Sequence, residues 1–274
     1  MSNEHNCTKK LLSKNSDNYK RLKNYILKFF FMILVSLVMY YAVLFCLYYN
    51  NNKQYYVSED GDSAENNYWI NILNLGLNER LKNNNLSFPV FSFSSCFVFI
   101  YIGSFFWWYL ITPILAYKYL YSENGSDPKI LHCLFKSFFI FLFIASMIFC
   151  IFPIQCLEIK DFKDITSKDH NSICKFLIVK SNLLLKQIYD LDCTRLNCLP
   201  SFHVSNSWFC YIPFRIKQNK KIPKKVIYFQ FIIAVLVFIS TFVIKQHYIM
   251  DGICSIVLVE LIFSLVWLKI KNKK

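Results

Sequence analysis

LPSFHVSNSW at 199–208 and KQHYIMDG at 245–252 frame the stretch on which the fold turns; between them lie FCYIPF (209–214), RIKQNKKIPKK (215–225) and VIYFQFIIAVLVFISTFVI (226–244). The run 226–244 is mostly apolar and, at about 1.5 Å per residue, matches the roughly 30 Å of a bilayer's hydrocarbon core. The basic loop before it carries no acidic residue. Residues 202–214 form a shorter apolar stretch that reaches across only with Ser201 and its neighbours included. Two crossings therefore leave His203 and return the chain to the same surface by His247, which puts the two imidazoles at one depth.

The pattern continues outward from this pair of crossings. Tyr248 to Ile270 predicts a further span that ends in a Lys-rich tail. Upstream, Ile154 to Pro200 is a mixed-charge loop with room for short helices such as Ser172 to Tyr189. Leu131 to Pro153 predicts a third span, with Lys136 near its beginning able to snorkel. Val90 to about Tyr117 predicts a long second span, tilted or kinked at Pro113, and Phe29 to Tyr49 a first. Residues 1–28 are too charged for a cleaved signal peptide and read as a cytoplasmic lead. The expected architecture is all-α: a basic lead (1–28), a six-span helical bundle (29–270) and a short tail (271–274).

Composition agrees. Hydrophobic residues make up 55% and aromatics 19% of 274 residues, more apolar material than a soluble core of this length needs, so lipid is the expected solvent. A net charge of +14 would suggest nucleic acid in a soluble protein. Here the charge follows topology. The lead, the 118–136 region, the 215–225 loop and the chain's end from Lys269 on hold 20 Lys and Arg against 4 Asp and Glu, whereas the opposite loops hold 11 against 12. That asymmetry predicts cytoplasmic termini and places His203 and His247 on the extracytoplasmic or lumenal face. The 11 cysteines show no zinc-ligand spacing, and several lie inside apolar runs as small hydrophobes. Cys156, Cys174, Cys193 and Cys198 share one polar loop where a disulfide has room to form.

Two motifs bear chemistry. His247 and Asp251 stand four apart, which on a helix puts both side chains on one face. A carboxylate so placed holds Nδ1–H and leaves Nε2 directed outward. The same spacing also occurs as an ordinary surface pair or cap, but an ionisable pair at the end of a span is costly unless it faces a polar cavity. His203 follows Pro200 and Ser201 at a loop-to-helix junction, where Ser201 can cap the helix and free amides can meet a phosphate oxygen. An interfacial histidine behind a helix cap is the alternative.

Together the two stretches resemble the type 2 phosphatidic acid phosphatase superfamily, which includes the inositol-phosphorylceramide and sphingomyelin synthases. LPSFHVS is similar to the PSLH form of its second motif and KQHYIMDG to its third, with HYxxD intact. The resemblance implies a six-span enzyme that needs no metal or other cofactor and acts on a lipid phosphate. His247 would attack phosphorus to give a phosphohistidine, Asp251 would orient it, and His203 would serve as acid and then base. Ser201 and the following amides would hold phosphate oxygens. The family's Arg six residues before the nucleophile is replaced by Thr241, and its first motif is not recoverable around SFPVF (87–91). Arg80, Lys82, Arg195 and Lys245 are candidate substitutes for the missing positive charge.

Three functions are compatible with this reading: a hydrolase removing phosphate from a lipid phosphate or diphosphate, a phosphotransferase to a lipid alcohol, and a non-catalytic member. Glu260, about half a turn around the helix from Asp251, is expected to face another span or a polar neighbour and carries no catalytic role. Asn85-Leu86-Ser87 is a possible glycosylation acceptor on the outer side.

Overall fold

A computed structural model describes residues 2–50, 96–121, 128–151, 199–216, 222–244, 246–247 and 249–272, with parts of 180–188; in the first helix the side chains described are those of 19–43. Among the described residues every regular element is helical. Helix α1 is Ser2–Asn50. Helix α2 covers Phe97–Tyr121, α3 Pro128–Ile151, α4 Phe202–Tyr211 with a 3-10 turn at Ile212–Phe214, α5 Lys224–Val243 and α6 Ile249–Asn272. Five of these, all but α4, are long and apolar enough to cross a membrane. The chain is an integral multi-pass membrane protein, and the five helices fall on five of the six predicted spans.

Their boundaries follow from the sequence. Helix α1 runs unbroken through residue 28, so lead and first span are one helix. Helix α2 contains two π turns, Trp107–Ile111 and Tyr117–Tyr121. The first sits just ahead of Pro113, which has no N–H to offer the preceding turn. The Thr112 amide instead bonds back five residues to the Trp107 carbonyl, and the widened turn absorbs the proline. Residues 180–188 are helical wherever they are described, in keeping with the predicted helix there.

The predicted fourth span is the exception. Helix α4 and its 3-10 turn rise only about 20 Å, yet the element reaches two different levels of the bundle. His203 near its start touches Tyr101 of α2. Phe214 at its end packs with Tyr25, Leu120, Ile130 and Ile222. It is enclosed by its neighbours, with Val204, Ser205, Ser207, Phe209 and Cys210 buried. A helix solvated by other helices can carry serines, an asparagine and a histidine that a lipid-facing span of the same length would not tolerate.

Helices α2, α3, α5 and α6 all pack against α4, and α1 packs against α3. Phe138, Phe141 and Phe149 of α3 meet Phe209 of α4 and Val259 and Phe263 of α6 in the largest apolar cluster. Lipid is as apolar as these side chains, so close packing and interhelical hydrogen bonds hold the bundle together, the latter worth about 0.6 kcal/mol each on average. Trp107 Nε1 donates to Gln230 Oε1 of α5 at 2.9 Å, and Tyr25 Oη of α1 donates to the Pro113 carbonyl at 2.8 Å. Helix α1 is peripheral: 6% of its apolar window is buried against 39% in α2 and α3.

Candidate active site

Ser201 ends the loop before α4 in an extended conformation (φ −67°, ψ 114°), and its Oγ accepts from the Val204 amide at 3.4 Å. Its carbonyl receives both the amide (3.0 Å) and the hydroxyl (2.8 Å) of Ser205. This is the predicted N-cap, and it is completely buried. It sets the first turn of α4, on which His203 stands.

Aromatic side chains of α2 fix the His203 ring. It stacks on Tyr101 with ring centroids 3.9 Å apart, meets the edge of Phe105 at 5.3 Å and lies 5.3 Å from Trp108. Trp108 is anchored in turn, because its Nε1 donates to Ser207 Oγ at 2.9 Å, one turn along α4 from His203. Tyr101, Phe105 and Trp108 are spaced four and three apart, so one face of α2 provides the whole wall. His203 Nε2 is buried and has no hydrogen-bond partner among the described residues; the same holds for Asn206 Oδ1 on the next turn. A buried polar atom left unpaired costs about 1–3 kcal/mol, which a ligand's proton or oxygen recovers.

The sequence expectation placed His247 on the sixth helix, but it lies before it. Helix α5 ends at Val243, and the Thr241 carbonyl then receives the Gln246 amide at 3.0 Å and the His247 amide at 3.3 Å. His247 is held in this turn, two residues ahead of Ile249 where α6 begins. Nevertheless its Nδ1 lies 3.8 Å from Asp251 Oδ2, with side chains 9% and 6% exposed. That distance is ion-pair range, longer than a hydrogen bond.

The His203 and His247 rings come together with centroids 6.4 Å apart. One side-chain contact between α5 and α6 lies close by, where the Phe238 ring sits against Gly252. A Cβ placed on Gly252 would run into the Phe238 ring, so any larger residue there requires that ring to move.

The other predicted site residues divide. Thr241 is buried, and its Oγ1 donates to the Phe238 carbonyl at 2.8 Å, so its visible part in the site is the carbonyl that anchors His247. Arg195, Lys245, Arg80, Lys82, the SFPVF stretch, Asn85 and the four loop cysteines lie outside the described residues. Glu260 has the polar neighbours expected of it: it accepts from Trp208 Nε1 at 2.7 Å and pairs with Arg215, away from the histidines. Among the described residues no group of three or more His, Cys, Asp or Glu side chains is gathered as metal ligands.

Comparison with known families settles the broad class. Residues 163–274 match the model of the PAP2 superfamily. Over this part the chain is similar to the PAP2 superfamily. The match contains both histidine stretches, the buried carboxylate and α4 to α6. A phosphatase-type activity on phosphoric esters goes with PAP2 membership at the level of the family. No curated protein and no solved structure gives a match.

The aromatic wall escaped the sequence reading. Tyr101, Phe105 and Trp108 fall in a span where Phe, Tyr and Trp are plentiful and read as lipid-facing or interfacial. Their spacing is the one signal that could have grouped them, and it does not say which face meets a histidine.

Proposed function

We propose that the protein is a lipid phosphatase that works through a phosphohistidine on His247. The observation that carries the reading is the approach of two imidazoles to 6.4 Å, one of them backed by a buried carboxylate. Asp251 keeps the proton on His247 Nδ1 and leaves Nε2 with its lone pair. Nε2 attacks phosphorus, an N–P bond forms, and the P–O bond to the lipid alcohol breaks as His203 gives the leaving oxygen a proton. Water then yields a proton to His203 and attacks phosphorus; the N–P bond breaks and inorganic phosphate departs.

The surroundings suit this sequence of steps. The face of Tyr101 against His203 holds the ring in place for both proton transfers. Ser201 and the amides at the start of α4 are the natural holders of the phosphate oxygens, aided by the positive end of the helix. Arg195 and Lys245 remain the candidates for added positive charge. The charge asymmetry of the loops supports cytoplasmic termini and a site on the extracytoplasmic or lumenal side.

Purified protein given a panel of lipid phosphates and diphosphates should release inorganic phosphate. His247→Ala should abolish both turnover and acid-labile phosphoenzyme, and His203→Ala should slow turnover by about 10²–10⁴-fold. Retained turnover in His247→Ala would remove the nucleophile assignment. Transfer of a labelled head group to diacylglycerol or ceramide, without phosphate release, would replace the hydrolase with the phosphotransferase.

A further inference from the structure

A second polar feature lies at the other end of the bundle. Between α1 and α3 the structure holds a cavity of about 850 Å³ lined by Lys28, Lys129, His132 and Lys136, with no acidic side chain among the described residues of its lining. Lys129, His132 and Lys136 are spaced three and four apart and so share one face of α3. Over those seven residues the helix rises about 10 Å, so the basic groups form a ladder that enters the span from its end. The cavity lies by the first turn of α3, where the helix dipole also favours an anion.

Below this ladder the walls become apolar. Phe31 of α1 and Phe139 of α3 both line the cavity, and their rings meet at 6.0 Å. The site is thus cationic at the membrane surface and hydrocarbon beneath, as a phospholipid is anionic at its head and apolar in its tails. A free phosphate ion would use the upper half alone. Lys136 is the deepest basic group of the ladder, about two turns into an apolar helix, where an ammonium facing lipid is costly and a phosphodiester beside it offsets that cost.

We infer that this cavity binds the head group and upper chains of an anionic phospholipid in the leaflet opposite the histidines. The inference borrows only the membrane orientation from the functional reading and none of its chemistry. The two sites are distinct. Residues 130 and 131 beside the cavity pack with Phe214 and Ile222, and Phe214 is eleven residues, about 16 Å, along α4 from His203.

The test uses the full-length protein, delipidated and returned to phosphatidylcholine nanodiscs with or without phosphatidylglycerol, a phosphodiester lipid with no terminal phosphate to hydrolyse. Phosphatidylglycerol should raise the melting temperature and remain bound in native mass spectra. Lys28→Gln with Lys136→Gln should weaken retention on the order of ten- to thirtyfold, whereas Lys28→Arg with Lys136→Arg should keep it. His247→Ala should retain the lipid as the wild type does, so loss of phosphatase activity leaves this result standing. If the glutamine pair does not fold, a photoactivatable phosphatidylglycerol on wild-type protein should crosslink within residues 129–140 or 25–31. The inference is overturned by unchanged retention in the glutamine pair, by crosslinks that map to α4 or α6, or by inorganic phosphate alone reproducing the stabilisation.

Discussion

At the scale of single residues, the site depends on how two rings are held. Asp251 is expected to act through His247 rather than on the substrate: it is 3.8 Å from Nδ1 and almost wholly buried. Asp251→Asn keeps the shape but can present its amide N–H₂ to Nδ1, which favours the wrong tautomer. Turnover should fall by about 10²–10⁴-fold with little change in KM, and Asp251→Glu should recover part of the rate. Equal losses in both variants with unchanged pH profiles would reduce Asp251 to a structural role. Trp108→Phe removes the hydrogen bond to Ser207 but keeps an aromatic ring near His203. A moderate loss in kcat is expected, with protein yield unaffected. His203, His247 and Asp251 were legible from the sequence because few residue types serve that chemistry. The wall around His203 was not, since an aromatic in a span has the same composition whether it faces lipid or an imidazole.

At the scale of elements, the long spans were legible and the short one only partly so. Hydropathy measures affinity for lipid, which is what α1, α2, α3, α5 and α6 meet on their outer faces. Helix α4 meets protein on most of its surface, so its buried serines weaken the apolar signal without weakening the packing. The position of His247 was also misread: four-residue spacing suggested one helix, but the turn held by the Thr241 carbonyl brings the ring to Asp251 from outside α6. Near that turn the Phe238 ring of α5 lies against Gly252 of α6. Gly252→Ala should drive a methyl into the Phe238 ring, part the helices beside Thr241 and lower both melting temperature and turnover, at about 1–3 kcal/mol for overpacking. Adding Phe238→Leu to Gly252→Ala should restore much of the loss. A double variant no better than the sum of its parts would show that the two side chains do not share the contact.

At the scale of the whole molecule, charge and chemistry sort to opposite ends. Tyr101, His203 and His247 gather at one end, while the cavity with Lys28, Lys129 and Lys136 lies at the other, next to the packing of Phe214 and Ile222. The loop counts of 20 basic against 4 acidic residues on one side and 11 against 12 on the other predict which end faces the cytoplasm. Parity links the two ends: if α4 and α5 together return the chain to its starting surface, the tail after α6 is opposite the histidines. An epitope appended after Lys274 should be removed by protease added to sealed microsomes of cytoplasmic-side-out orientation. A second reporter, a glycosylation acceptor inserted next to Leu199, should be modified in the same vesicles. Protection of the tail together with loss of glycosylation would invert the whole bundle and carry the histidines to the cytoplasmic leaflet. Protection of the tail with glycosylation retained would mean that α4 and α5 do not make two crossings, and the shared depth of His203 and His247 would then need another origin than the return path through the basic 215–225 loop.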